Sequence, residues 1–366
     1  MKIQKKISSR YAVALCVFGA WYPLQAYSAV TLYGIVDEGP SYVSNVAGNS
    51  RWSLDSGVLQ QSRFGFQGKE DLGGGYSTFF NLEQGFNLSN GAFATPGQIF
   101  SREARVAITS PAGSISLGRQ ASPTADALTV FTASGIVYGP SYYSTSPGDL
   151  DRTLNIPVDN SIKYVSPTIA GFTAEGIWSF GGDPGNFHLN STRGASLSYS
   201  AGPLTLGTAY MRQYGANITM SALLSPTSNP IGATGPTDSF QTFGFGGSYQ
   251  FSSVLLQALI TQSRFDQTQV QARGYQLASK YTVSPFLILG AAYGYTQVRE
   301  RAHMELGALS ADYLISKRTD VYGVVAYEAV SGKNANNGDL TAQIFTLPAS
   351  GSASQLAVHF GIRHRF

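Results

Sequence analysis

The 366-residue chain holds one cysteine, Cys16, and that residue lies in an N-terminal segment expected to be removed. A chain without thiols has neither disulfides nor thiolate metal sites. Charge is scarce: Asp, Glu, Lys and Arg make up 12% of residues, about half the usual share of roughly 25%. Beyond residue 30 no apolar run approaches the roughly 18 residues that a membrane-crossing helix needs. The four histidines, at 188, 303, 359 and 364, have no metal-ligand spacing, and there is no G-x-S-x-G elbow or P-loop. Those absences argue against an enzyme and against a metal or other cofactor. The formal charge of +3 does not point to nucleic acid either. Four basic residues and no acids precede residue 30, which leaves 20 basic against 21 acidic residues, a net of −1.

Residues 1–29 read as a secretory signal peptide. Lys2, Lys5, Lys6 and Arg10 precede an apolar stretch from Tyr11 to Trp21, and Ala26 and Ala29 are alternative cleavage residues. The remainder, 30–366, is rich in what a membrane wall of strands uses: 41 Gly in the whole chain, with 21 Phe and 21 Tyr. A transmembrane β-barrel has one lipid face and one wet face, so its mean hydropathy is middling; here it is −0.03.

Alternation runs along nearly the whole of this region. In SRFGFQGKED, Phe64 and Phe66 share one face while Arg63, Gln67 and Lys69 share the other. Strands pair across short turns such as Leu72-Gly73-Gly74-Gly75 and Ser110-Pro111-Ala112-Gly113, then separate by longer polar stretches. The pattern predicts sixteen strands: an opening strand at Thr31–Val43, seven hairpins and a closing strand at Gln355–Phe366. Short and long connections alternate, as short periplasmic turns and longer extracellular loops do. The predicted fold is therefore all-β: a 16-stranded antiparallel transmembrane β-barrel, closed because an open edge in lipid would strand backbone groups.

One stretch breaks the alternation. Residues 121–159 run for 39 residues without it, where structureless connections beyond about 12–15 residues are uncommon. The stretch carries Leu128, Phe131, Ile136, Val137, Tyr138, Tyr142 and Tyr143, too apolar for a disordered linker. Its acids Asp126, Asp149, Asp151 and Asp159 outnumber its single Arg152.

Several segments together resemble the general bacterial porins of Gram-negative outer membranes, of the beta-proteobacterial type. They are VTLYGIVDEG, SRFGFQGKEDLGGGY, SREARVAI, SISLGRQ before the long stretch, and the closing GIRHRF. The resemblance implies a water-filled channel for passive diffusion of ions and small hydrophilic solutes. It implies that the third long connection, 121–159, is an inward-folded third loop that narrows the pore. It also carries over a wall-arginine cluster, Arg63, Arg102 and Arg152, facing the acidic loop. Alternation places Arg63 inward; Arg102 and Arg105 compete for the inward position; Arg119 sits where the loop departs and could brace it. Glu83 and Lys280 are further wet-face candidates. The final Phe366 corresponds to the residue read by the barrel assembly machinery. A homotrimer contacting outer-membrane lipid and lipopolysaccharide is likewise implied. A substrate-specific channel, an adhesin and an enzymatic barrel are the competing readings.

Overall fold

The structure is a computed structural model. It describes residues 30–135, 157–215, 239–266, 269, 271–299, 302–333, 338–345 and 347–366. The signal-peptide reading of 1–29 lies outside the described residues, as do Tyr138, Asp149, Asp151 and Arg152.

Among the described residues the strands are β1 (Thr31–Val46), β2 (Asn49–Ser56), β3 (Arg63–Gly73), β4 (Tyr76–Gly85), β5 (Glu103–Ser110), β6 (Gly113–Gln120), β7 (Val158–Val165), β8 (Phe172–Ser179) and β9 (Thr192–Ala201). They continue as β10 (Leu204–Tyr214), β11 (Ser239–Phe251), β12 (Val254–Phe265), β13 (Gln271–Thr282), β14 (Leu287–Val298), β15 (Ala302–Leu314), β16 (Thr319–Gly332) and β17 (Ser354–Arg365). A short helix α1 (Pro123–Leu128) follows β6. Every strand pairs antiparallel with its neighbour, and β1 closes the ring against β17, from Ile35 opposite Arg365 to Val43 opposite Ala357.

The barrel has sixteen staves although seventeen strands are present, because β2 and β3 share one stave. β3 pairs with the lower part of β1, Thr31 to Ile35, and β2 with its upper part, Glu38 to Val46. The alternation predicts a strand ending at Val43 and then a polar gap. Instead β1 continues, turns at Ala47 and Gly48 with φ of 49° and 97°, and returns as β2. Two successive residues of positive φ make the tight turn that suits the twist of paired strands.

The wall is inside-out relative to a soluble protein. In β15, Met304 and Leu306 point inward and are buried, while Leu309 and Tyr313 point outward and are more than half exposed. The outward set is apolar around the ring and includes Phe243, Phe245, Ile260, Leu277, Tyr293, Tyr327 and Phe360. That face matches hydrocarbon, with aromatic residues suited to the interfaces. No helix among the described residues is long and apolar enough to cross a membrane; the strands make the crossing.

Buried apolar residues gather within the barrel, under segments that fold into it. The described first part of the third connection, residues 121–135, does so, as expected. Ser122 caps α1 by accepting from the Ala125 N–H, Pro123 opens the helix, and its buried residues include Ala127 and Leu128. The helix packs on β8–β11, and the two helical turns that follow, Thr129–Phe131 and Ala133–Gly135, reach across to β11–β14. Phe131 sits over paired inner-wall glycines, Gly207 of β10 and Gly246 of β11. A Cβ on Gly246 would lie 2.5 Å from the Phe131 ring, and one on Gly207 would lie 2.6 Å from the Ala127 carbonyl oxygen. Gln257 donates to the Thr132 carbonyl at 2.6 Å, and Gln276 accepts from the Ala133 N–H at 2.8 Å.

Two further inward segments go beyond the sequence pattern. Residues 57–62, between β2 and β3, carry Val58 and Leu59 into the lumen. The last connection, between β16 and β17, is one of the longer polar stretches and buries Leu340, Ala342, Ile344 and Leu347. Its backbone is held by inner-wall side chains: the Gln343 N–H donates to Glu328 at 2.6 Å and the Ile344 N–H to Gln355 at 2.9 Å.

Candidate functional site

The open part of the lumen is a cavity of about 1340 Å³. Among the described residues six arginines line it, Arg51, Arg63, Arg102, Arg105, Arg119 and Arg363, against four carboxylates, Asp55, Glu83, Glu103 and Asp126.

The first two wall arginines, Arg63 and Arg102, share one counter-ion. Arg63 opens β3 and faces inward; it lies opposite Ile35 and Gly85 in the register. Arg102 precedes β5, and its N–H donates to the Glu83 carbonyl at 3.2 Å, which fixes its place beside the wall. Glu83 Oε2 is 3.3 Å from Arg63 Nε, and Glu83 Oε1 is 2.6 Å from Arg102 Nε. The Tyr33 hydroxyl lies 2.9 Å from both Glu83 Oε2 and Asn81 Oδ1 and steadies the carboxylate. One carboxylate between two guanidiniums leaves local positive charge.

The competition between Arg102 and Arg105 has no loser, since both line the cavity. Arg105 lies in register with Asn81 and Gly118, pairs with Glu103, and rests 5.3 Å above the Phe79 ring. Glu103 lies opposite Glu83 and also accepts from Asn81.

Arg119 reaches the lumen through a backbone irregularity. The β6–β7 register shifts between Gly118 and Gln120, and Gly118 has φ +126°. A Cβ at Gly118 would collide with the Ala104 carbonyl, so glycine is required there. Arg119 then pairs with Asp159, linking the start of the third connection to its end, and donates to the Ser101 carbonyl of the preceding connection at 2.7 Å.

The expectation that loop acids face the wall arginines takes another form in the described residues. Asp126 pairs with Lys163 of β7 at 2.6 Å, and Lys163 also holds the Ala121 carbonyl at 3.1 Å. Asp159 is taken by Arg119. The counter-charges of Arg63 and Arg102 come from the wall itself. The physical reason is proximity: Glu83 is one strand away, while Asp126 leaves the first turn of α1 toward β7. Lys280 is two residues from the end of β13 and is not among the residues lining the cavity. Glu103, Lys163, Arg51 and Arg363 are additions to the sequence-based set, although inward parity on a strand is a signal that could have marked Lys163 and Arg363.

Phe366 completes the closure. Its N–H donates to the Gly34 carbonyl at 3.0 Å and its carbonyl accepts from the Gly34 N–H at 3.1 Å. Its ring occupies the space over Gly34 that a side chain there would fill.

A closed sixteen-stranded barrel with an apolar exterior, inward-folded connections and a charged lumen belongs to the class of outer-membrane diffusion channels. Residues 12–333 match the family described as Gram-negative porin. The chain is 29% identical to outer membrane porin protein 32 of Delftia acidovorans, over 97% of this chain and 99% of that one. It is 26% identical to an outer membrane porin protein of Bordetella pertussis, over 93% of this chain and 95% of that one. Among solved structures, the anion-selective porin from Comamonas acidovorans superposes with a TM-score of 0.75 at 26% identity, covering 93% of this chain and 100% of that one. OmpT of Vibrio cholerae shares the fold, with a TM-score of 0.66 at 15% identity over 92% and 97%. The chain belongs to the Gram-negative porin family. It is an outer-membrane channel for passive diffusion of ions and small hydrophilic solutes.

Proposed function

We propose that this porin favours small anions, and that Arg63, Arg102, Arg105 and Arg119 of the wall carry the preference. The observation behind this is the sharing of Glu83 by Arg63 and Arg102 within a cavity where, among the described residues, six arginines meet four carboxylates. Fixed charge in a narrow aqueous passage with low-dielectric walls biases which ion enters. The name of the Comamonas acidovorans relative, an anion-selective porin, supports the same direction. Diffusion down a gradient needs no catalytic group, and the protein acts as a channel rather than an enzyme.

The third connection, 121–159, is the constriction in this reading, with Asp126 and Asp159 tying it down and Asp149, Asp151 and Arg152 setting the charge of its remaining part. Residues 1–29 direct export and are removed. Phe366, at the barrel's closing seam, is the assembly signal. The working unit is a homotrimer whose apolar wall meets lipid and lipopolysaccharide.

The test is the reversal potential of the purified channel in a planar bilayer under a salt gradient. Selectivity for anions is expected, and it should fall in Arg63→Glu and Arg102→Glu. An unchanged reversal potential in both variants would remove the arginines from the mechanism.

A further inference from the structure

Between Ser56 and Arg63 the second stave leaves the sheet, and the way it leaves is specific. Gly57 turns the chain inward with φ +72°, and a Cβ there would lie 2.9 Å from Gln61 Cα. The gap left beside β1 is closed by side chains. The Ser62 hydroxyl accepts from the Asp37 N–H and donates to the Asp37 carbonyl, each at 3.1 Å. The Gly57 N–H also donates to that carbonyl, at 2.8 Å. Such an excursion leaves ladder groups to be satisfied individually.

The far side of the excursion is fixed as firmly. The Leu59 N–H donates to the Tyr322 hydroxyl at 3.1 Å, and the Gln60 N–H donates to Asp37 Oδ2 at 2.6 Å. Tyr322 donates to Asp37 Oδ1 at 2.6 Å and lies 2.9 Å from His359 Nε2, and His359 Nδ1 lies 2.8 Å from the Ser41 hydroxyl. Val58 and Leu59 are buried in an apolar cluster with Tyr322, Val324, Ile344 and Leu347. Packing alone would explain that pair but not the two residues that follow.

Gln60 and Gln61 turn their amides to the charged lumen. Gln61 Oε1 accepts from Arg102 Nη1, and the Gln61 carbonyl lies 3.5 Å from Arg63 Nη1. Gln60 Oε1 accepts from Arg363 Nη1 at 3.1 Å. One short segment therefore touches three of the cavity arginines, from staves on either side of its own.

We propose that residues 57–61 are a second selectivity element, in which Gln61 positions the Arg102 guanidinium in the channel and Gln60 does the same for Arg363. The role of Gln61 is the larger one. Arg363 is held besides by Asp320, with Nη2 at 2.9 Å and Nε at 3.2 Å from its oxygens. Arg102 has Glu83 on Nε and Gln61 on Nη1. Without Gln61 the Arg102 guanidinium is held by Glu83 alone and can turn a second nitrogen onto that carboxylate, which shields more of its charge from the channel. Glutamine suits the task because its amide oxygen accepts from a guanidinium without cancelling the charge. This inference rests on the arginines carrying the anion preference.

The test separates the two ideas. Gln61→Met keeps length and loses the acceptor. Reversal potentials are measured for wild type, Gln61→Met, Gln60→Met and Arg102→Ala, each first checked for the folded, heat-modifiable barrel. The expected result is a drop in the anion-to-cation permeability ratio of about twofold in Gln61→Met, approaching that of Arg102→Ala, with a smaller drop in Gln60→Met. A merely structural role for Gln61 would alter the melting of the barrel and leave the ratio at the wild-type value. If Arg102→Ala lowers the ratio and Gln61→Met does not, the positioning role is overturned while the arginine reading stands. If neither variant moves it, both fall.

Discussion

Glu83 is one carboxylate serving two guanidiniums, at 3.3 Å from Arg63 and 2.6 Å from Arg102. Removing its charge should therefore strengthen the positive field rather than weaken the site. Glu83→Gln is predicted to raise the anion-to-cation permeability ratio by about twofold, read from the reversal potential; a fall would show that Glu83 acts by positioning rather than by charge. A second carboxylate, Asp266 at the extracellular end of β12, makes a prediction about pH. Burial alone would raise it, but hydrogen bonds from Ser239 and Gln241 and the charges of Arg212 and Arg264 outweigh that and hold its pKa below the ordinary 3.8. A carboxyl depressed in the folded state stabilises above its unfolded pKa and loses that contribution as pH falls through the folded value. The contacts joining β10, β11 and β12 at this rim should therefore hold at neutral pH and loosen below about pH 4. Hydrogen-exchange protection factors at Ser239–Gln241, taken relative to the intrinsic rate at each pH, should fall in acid, and should already be lowered at neutral pH in Asp266→Asn. Equal exchange in the variant and the wild type would count against the latch.

Parity within a strand makes some residues legible and hides others. Arg63 can be placed inward because Phe64 and Phe66 mark the lipid face beside it. Arg119 cannot, because its direction depends on the register shift that Gly118 permits. At the scale of elements the same limit recurs. The strands and short turns follow from period-two alternation, and the third connection declares itself by breaking it. Val58 and Leu59 form a single apolar pair in a polar stretch, and Leu340, Ala342 and Ile344 alternate over only five residues, too short a run to mark a stave. The destination of Val58, Leu59 and Ile344 is fixed by long-range contacts with Tyr322 and Val324. The hairpin of β1 and β2 escapes the pattern for a related reason, since polar residues near its tip hide the alternation. Inward elements are held by apolar anchors, so truncating one should be costly. Leu59→Ala is expected to destabilise the barrel by about 2–5 kcal/mol, the usual range for a buried leucine, as read from its unfolding midpoint. Gly246→Val should have a different effect. The new side chain enters the seat of Phe131, displaces the third connection and changes single-channel conductance. Conductance equal to wild type would mean that the loop does not depend on that seat.

The molecule as a whole depends on a ring having no edge. In lipid, each unpaired backbone group costs several kcal/mol, and the closing seam runs from Gly34 and Phe366 up to Val43 and Ala357. Gly34→Val should crowd the Phe366 ring and lower the yield of folded barrel, and deletion of Phe366 should do so more severely. Both are measured by the heat-modifiable fraction on a gel, and full yield from the deletion would detach Phe366 from assembly. Once closed, the barrel gives the lumen low-dielectric walls, and the inward segments leave a passage in which, among the described residues, arginines outnumber carboxylates. If this excess selects anions, it shows in the reversal potential of the wild-type channel and of the Arg63→Glu, Arg102→Glu double variant in a potassium chloride gradient. Anion preference is expected in the wild type, with its loss or inversion in the double variant. A cation-preferring wild type, or a double variant with the wild-type reversal potential, would contradict it.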